Sequence, residues 1–435
     1  MQLAMLDLNE IRRDPSRIKS ALAKRGLDVD FEGLLAVDEE YRRSQMRLEQ
    51  ARAERKKISV RVSELRRSAQ PDENLVDQLR GQSQTLGEQI AELEKRAEAL
   101  SASRQEILDG LPNIPDDDVP AGGKEANKVV RGSGEPPQPG LDALDHVTLA
   151  ENLGLVDYKR GVKLGGNGSW IYTGVGAQLE WALLNYFVQT HIHDGYTFIL
   201  PPHLLTGEAG YAAGQFPKFV EDVYVVESDE QGAPSKFLLP TSETALVSIH
   251  RDEILREDDL PLKYFAYSPC YRKEIGGYRT HERGTLRGHQ FNKVEMFQVT
   301  TAEQSDAALE ELLGKAEALV QGLGLHYRIS LLAAGDTSAS MTKTYDVEAW
   351  IPSIGQYLEV SSVSNSRAYQ ARRAKIRYRR ADGTLSFAHT LNASGLATSR
   401  LLPAIIEQNQ QADGSVIVPH ALRAWVPERI GPNPK

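Results

Sequence analysis

The sequence predicts an α+β fold, an antiparallel sheet with flanking helices, preceded by an antiparallel helical coiled-coil arm. Three observations predict it. Apolar residues recur at three- and four-residue spacing over about residues 32–110, with one break. A stretch rich in proline and glycine follows. Beyond it, short β-patterned runs alternate irregularly with helical ones, which indicates hairpins instead of repeated βαβ units. The expected division is an N-terminal domain over 1–112, a linker over 113–140 and a larger domain over 141–435.

Leu6, Leu8, Ile11, Ile18 and Leu22 make a small helical element, with Asp14-Pro15-Ser16 as a helix start. The arm then reads as Leu34, Val37, Tyr41, Leu48, Ala51, Ile58, Val62 and Leu65, with Ser44 and Arg55 as polar exceptions. Ser68 to Asp72 break the pattern, which resumes at Val76, Leu79, Leu86, Ile90, Leu93, Ala97, Leu100 and Ile107. Each limb of ~35 residues would be roughly 50 Å long at 1.5 Å per residue. The first limb is basic: Arg42, Arg43, Arg47, Arg52, Arg55, Lys56, Lys57, Arg61, Arg66 and Arg67 face only Glu49, Glu54 and Glu64 between residues 41 and 67. The second is acidic on balance. One basic limb on a chain of net charge -9 points to a phosphate-rich partner; a solvated spacer or dimerisation rod explains the same pattern equally well.

Pro112, Pro115, Pro120, Gly122, Gly123, Gly132, Gly134 and Pro136 leave no regular structure expected in the linker. Residues 175–194 read as a helix ended by Gly195, with a strand at 196–200. Residues 207–219 read as a glycine-rich loop without phosphate-loop or dinucleotide spacing. A strand and turn at 236–244 present Thr241, Ser242 and Glu243. Residues 262–300 form a hairpin around a long polar loop. Side chains alternate along a strand, so Arg272 and Glu274 share one face, as do Arg287, His289, Phe291, Lys293 and Glu295. A helix at 303–323, a strand at 326–332, two strands within 346–364, a strand at 386–394 and a helix at 396–410 complete the chain. Pro403 falls inside that last helix and is expected to kink it unless it lies in the first turn.

Cys270 is the sole cysteine, which excludes a disulfide framework and a cysteine-cluster metal site. No apolar run approaches the ~20 residues of a membrane span, and the N-terminus lacks a signal-like apolar core, so a cytoplasmic location is expected. Arg272, Arg287 and Arg400, with Glu243, Glu274, Glu295 and Glu359, combine forked phosphate-binding cations with acids. No activated-nucleophile or metalloprotease motif accompanies them. Such a set suits phosphoryl or nucleotidyl chemistry, where positioning and charge neutralisation supply most of the rate.

At these residues the sequence resembles the seryl-tRNA synthetase family of class II aminoacyl-tRNA synthetases. PTSE, CYRKE, RGHQFNKVE, TYDVEAW, QARR, HTLNASGLA and QADG follow the arm in family order, and the resemblance begins at Met5. It implies a catalytic domain on a sheet of about six antiparallel strands and a tRNA-binding arm. It implies that ATP and L-serine give seryl-adenylate, and that serine then passes to tRNA(Ser) and, as in some members, tRNA(Sec). A homodimer formed through residues 175–200 is implied, with no membrane or DNA partner. By the same resemblance Arg272, Glu359 and Arg400 are catalytic. Thr241, Ser242, Glu243, Arg272, Glu295, Asn392 and Ser394 bind serine. Arg272, Lys273, Glu274, Arg287, Gly288, Phe291, Glu359, Val360, Ser361, Ser362 and Arg400 bind ATP. Glu359 and Ser362 hold Mg²⁺ with it. Arg52, Arg55, Lys56, Lys57, Arg61 and Arg66 contact tRNA. Glu359 and Ser362 stand three apart, so a regular strand cannot put both on one face, and an irregularity is required there.

The hairpin loop, IGGYRTHERG at 275–284, departs from the family's usual AGSxGxDTRG-like pattern. Besides a general seryl-tRNA synthetase, the sequence leaves open a specialised or inhibitor-tolerant second copy, and a non-catalytic RNA-binding or regulatory relative.

Overall fold

The computed structural model describes residues 6–68, 72–137, 143–227, 235–275 and 283–431. The chain divides into two compact units, one of residues 1–19 and 28–111, the other of residues 20–27 and 112–435.

The first unit holds α1 (Leu8–Arg13) and the two limbs of the arm, α3 (Glu32–Arg67) and α4 (Glu73–Asp109), while α2 (Pro15–Ala23) starts at the proline that marks its first turn. Asp72 caps α4 by accepting from the Leu75 amide at 3.1 Å. Leu34, Leu48, Ile58, Val76, Ile90 and Ala97 fill the seam. The expected seam position Ile107 is exposed, and Ser101, Arg104 and Leu108 are buried instead. The reason is a polar knot at the arm's root. Asp38, fully buried, accepts from Arg12 Nε at 2.7 Å, Arg104 Nη1 at 2.9 Å and Arg42 Nε at 3.1 Å. Arg104 also lies over the Tyr41 ring at 4.1 Å. Burial opposes the charge on Asp38, but Arg12 and Arg104 hold its carboxyl below the usual range.

The second unit is organised on an eight-stranded sheet among the described residues. Its strands are β1 (Lys128–Gly132), β2 (Thr197–Ile199), β3 (Leu262–Tyr271), β4 (Gln290–Thr300), β5 (Tyr327–Leu331), β6 (Lys343–Ile351), β7 (Gln356–Arg367) and β8 (His389–Ala397). Their spatial order is β1-β5-β6-β7-β8-β4-β3-β2, antiparallel throughout except for the β2–β3 pair. The sheet is therefore wider than the six or so strands expected. One extra edge strand, β1, lies within the stretch expected to lack regular structure. All five of its residues are exposed, so it carries no buried periodicity to read from sequence. Residues 207–219, expected as a loop, begin with a helix over Gly207–Ala212.

Helices α5 (His146–Asn152), α6 (Gly174–His193), α7 (Gly207–Ala212), α8 (Ser305–Gly322) and α9 (Thr398–Gln408) complete the elements that matter for the site. The main core joins α6, α8 and α9 to the sheet through Leu183, Phe187, Leu312, Leu319, Val347, Val363, Leu401 and Ile405. Pro403 is the sixth residue of α9. Its missing N–H leaves the Ser399 carbonyl without its helical donor. The Thr285 hydroxyl donates to that carbonyl at 2.7 Å, so the helix continues and the root of the hairpin loop is tied to it. Gly284, beside it, has φ +68°, and a Cβ there would meet Val147 at 2.9 Å. The His146 ring contacts the Arg283 carbonyl at 3.1 Å and, through Nδ1, the buried Glu407 carboxylate at 2.7 Å. Of the divergent loop, residues 276–282 lie outside the described residues.

Candidate active site

The register of the sheet assembles the site. β4 pairs with β3 so that Phe291 faces Cys270, Lys293 faces Ser268 and Glu295 faces Ala266. On its other side Glu295 faces Ser394 and Phe297 faces Asn392 of β8. β7 and β6 follow, with Ser362 opposite Asp346. Between them the ladder slips: Val347 faces Ser361 and Glu348 faces Glu359, so Val360 is an extra residue. That bulge is the irregularity the three-residue spacing required, and it turns Glu359 and Ser362 to one cavity.

Two adjoining recesses share Arg272, Glu274, Arg287, Lys293, Glu359 and Ser394. The first, about 50 Å³, adds Gly288, Phe291, Val360 and Arg400. The second, about 550 Å³, adds Thr241, Glu243, Ser362 and Asn392. A flat apolar ring therefore lies at one end and a polar floor at the other. The Arg272 guanidinium stands 5.2 Å from the Phe291 ring centre, and its Nε donates to the Pro240 carbonyl at 3.2 Å. Arg287 Nε pairs with Glu274 at 2.7 Å. Arg400 Nη1 bonds the Glu359 carboxylate at 3.1 Å and its carbonyl at 2.9 Å. Gly288 gives way to Trp170, whose ring would lie 2.1 Å from a Cβ.

Below the larger recess, Glu295 is fully buried and accepts from Thr241 Oγ1 at 3.3 Å and Asn392 Nδ2 at 3.0 Å, with Lys293 as its ion-pair partner. Glu243 accepts from Gln370 Nε2 at 2.6 Å. Burial first, and then the charge of Glu295, push the Glu243 carboxyl up to about 7. Glu359 is the opposite case. Desolvation opposes its charge, but Arg400, Arg272 and Lys293 together hold it below the ordinary carboxylate range. Two carboxyls in one site are thus set apart by their nearest charged neighbour, Glu295 beside Glu243 and Arg400 beside Glu359. Asp346 is driven well above the usual range, by burial and then by Glu359.

Most residues named from sequence converge here. Two turn elsewhere: Ser242 Oγ meets Ser268 Oγ at 2.6 Å, and Ser361 Oγ donates to the Ser394 carbonyl at 2.6 Å. Lys273 donates its backbone amide to the carbonyl of Asp222, which lines the larger recess, at 2.9 Å. His289, placed with the site face by strand alternation, lies before β4 begins and contacts the Arg272 carbonyl at 3.1 Å through Nδ1. Gln370 and Asp346 carry no local signal of a site role, and Lys293 shares only the strand parity of Phe291 and Glu295. No group of three metal-ligating side chains converges among the described residues. Glu359 and Ser362, one anionic and one neutral oxygen donor on a shared cavity wall, fit a hydrated Mg²⁺, which keeps several waters and needs few protein ligands.

On the arm, Arg52, Arg55, Lys56, Lys57, Arg61 and Arg66 are exposed on α3. Arg52 pairs across to Glu94 at 2.6 Å, and Lys57 and Arg61 to Glu54 and Glu64 at 3.6 and 3.3 Å. No helix among the described residues is long and apolar enough to cross a membrane.

Two family models match the chain: "Seryl-tRNA synthetase N-terminal domain" over residues 5–115 and "tRNA synthetase class II core domain (G, H, P, S and T)" over residues 224–409. The chain is 56% identical to "Serine--tRNA ligase 2" of Clostridium acetobutylicum, over 97% of this chain and 99% of that one. It is 42% identical to "Serine--tRNA ligase" of Thermodesulfovibrio yellowstonii, with the same coverage. The seryl-tRNA synthetase of Pyrococcus horikoshii, solved in complex with ATP, superposes with a TM-score of 0.90 at 33% identity, over 99% of this chain and 100% of that one.

Proposed function

The chain belongs to the seryl-tRNA synthetase family of class II enzymes, and on that premise we propose that it activates L-serine with ATP and transfers it to tRNA(Ser). The observation that carries this reading is the convergence of Arg272, Phe291, Glu359 and Arg400 at one end of a recess with Thr241, Glu243 and Asn392 at the other. A nucleotide and an aminoacyl group need such a pair of compartments.

In the first step the serine carboxylate attacks the α-phosphorus, and the bond to pyrophosphate breaks. Arg272, placed between the two compartments, neutralises the charge that builds on the phosphoryl oxygens. Phe291 stacks under adenine, Glu274 reads its amino group, and Arg400 covers the other face and reaches the γ-phosphate. Glu359 and Ser362 would hold Mg²⁺, which would neutralise phosphate charge when bound. Glu295, Glu243 and Thr241 hold the serine ammonium, Glu295 and Ser394 bind its hydroxyl, and Asn392 supports this pocket. In the second step the terminal ribose hydroxyl of tRNA attacks the acyl carbon and AMP leaves. Alanine leaves the buried hydroxyl partners unpaired, a strong penalty. Threonine is excluded by space, worth ~1–3 kcal/mol unless the walls are rigid.

The basic α3 limb is the tRNA-binding surface, reading shape and phosphates. A homodimer is supported by Trp181, Ile192, Phe198 and Leu200, which stand exposed on and after α6. Charging of tRNA(Sec) and a cytoplasmic location go with this assignment. The test is ATP–pyrophosphate exchange with serine, threonine, alanine and cysteine, followed by charging of tRNA(Ser). Exchange with serine is expected at least about a hundredfold above alanine and about ten- to two-hundredfold above threonine. Absence of serine-dependent exchange would leave only the RNA-binding alternative. Exchange that persists with a serine-like inhibitor present would support a specialised second copy.

A further inference from the structure

One buried carboxyl oxygen in the cavity that Glu359 and Ser362 share has no hydrogen-bond partner among the described residues. Asp346 is nine-tenths buried, and its Oδ1 receives no hydrogen bond among the described residues. It lines a cavity of about 430 Å³ together with Asp336, Glu348, Glu359, Ser362 and Arg400. The other acids there are already engaged. Glu348 accepts from Arg328 Nε and Ser330 Oγ, each at 2.6 Å. Asp336 accepts from Asn127 Nδ2 at 2.8 Å, and Glu359 is bonded to Arg400. A buried carboxyl oxygen without a hydrogen-bond partner is costly, and the cavity it lines can receive a donor for it.

Asp346 faces Ser362 directly across the β6–β7 ladder. A hydroxyl that gives its lone pair to a cation must point its hydrogen away from that cation, and the acceptor across the ladder is Asp346. Mg²⁺ retains several waters, and those waters are donors. We propose that Asp346 is a positioning residue for the nucleotide-bound divalent cation: its carboxylate orients the Ser362 hydroxyl, and its free Oδ1 accepts from a water in the cation's shell. This rests on the reading that Glu359 and Ser362 hold that cation. Such outer-shell partners typically contribute ten- to a hundredfold to metal affinity.

The experiment measures Mn²⁺ affinity by electron paramagnetic resonance, using the full chain saturated with a non-hydrolysable ATP analogue. Asp346→Asn is expected to weaken Mn²⁺ about tenfold without weakening metal-free analogue binding or lowering the thermal midpoint. The Mg²⁺ concentration for half-maximal exchange rises in parallel, while KM for serine at saturating Mg²⁺ stays put. Asp346→Ser, expected to behave alike, replaces it if the asparagine variant does not fold. Unchanged Mn²⁺ affinity in the Asp346 variant, with Glu359→Gln weakened, overturns the role of Asp346 alone. Unchanged affinity in Glu359→Gln as well overturns the underlying cation site.

Discussion

The arm and the sheet domain solve opposite problems. The arm is two helices whose contacts repeat every seven residues, so each stretch of seam resembles the next, and a single buried polar knot, Asp38 with Arg12, Arg42 and Arg104, fixes its root. The site is the reverse. Glu243, Arg272, Glu295, Glu359, Asn392 and Arg400 are scattered over more than 150 positions and meet because four neighbouring strands, β3, β4, β8 and β7, and two helices bring them together. A repeated seam tolerates change in its length; a site assembled once, from one register, tolerates no slip, because a one-residue shift turns every side chain to the other face.

The sharpest way to break this comparison is to shorten the arm. Residues 44–98 can be replaced by a short glycine–serine linker that spares Asp38 and Arg104. Serine-dependent pyrophosphate exchange is expected to stay within twofold of the full chain, while charging of tRNA(Ser) falls by about a thousandfold, the scale set by losing several phosphate contacts. Equal losses in both assays would show that the arm and the site are not separable.

A smaller effect is expected at the root. Asp38→Asn leaves Arg104 buried without its anion and is expected to cost on the order of 2–3 kcal/mol, toward the low end because Arg12 and Arg42 keep contact with solvent. Hydrogen exchange in the first turns of α3 should rise about a hundredfold, while exchange within β4 and β8 stays unchanged. The pH sign agrees: a carboxyl held below its ordinary value stabilises above that value and loses its effect as pH falls through the lowered one. Acid should therefore loosen the root of the wild-type arm and not that of the variant.

The smallest effect is at Glu243. Its carboxyl is pushed up to about 7, so it holds its proton below that pH and lowers stability as pH rises from the ordinary carboxylate range through 7. Only the ionised form attracts an ammonium group. Serine affinity, measured by calorimetry, is expected to fall by up to about tenfold per pH unit below 7, and Glu243→Gln should weaken and flatten the profile. A wild-type profile already flat between pH 6 and 8 would remove Glu243 from the ammonium contact.

How much could be read from residues differs between the two regions for the same physical reason. Heptads are local, and they placed α3 and α4 within a few residues. They failed only at Ile107, where the seam gives way to Asp38 and Tyr41, partners about seventy residues away. Strand parity in the hairpin places Phe291, Lys293 and Glu295 on one face, and the spacing of Glu359 and Ser362 demands the bulge that Val360 forms. Nothing local marked β1, whose exposed residues pair with an edge some two hundred positions away.

The sequence by itself determined the two limbs of the arm, the basic limb, the family resemblance and the parity of Phe291, Lys293 and Glu295, because period, charge and motif are written in neighbouring residues. Only the tertiary structure decided that Thr285 replaces the donor Pro403 lacks, that Gln370 holds Glu243, and that Asp346 keeps an oxygen free beside Ser362. Each of these is a hydrogen bond made, or left unmade, between residues brought together by sheet register and helix docking. Its energy depends on burial and distance, which no short stretch of sequence contains.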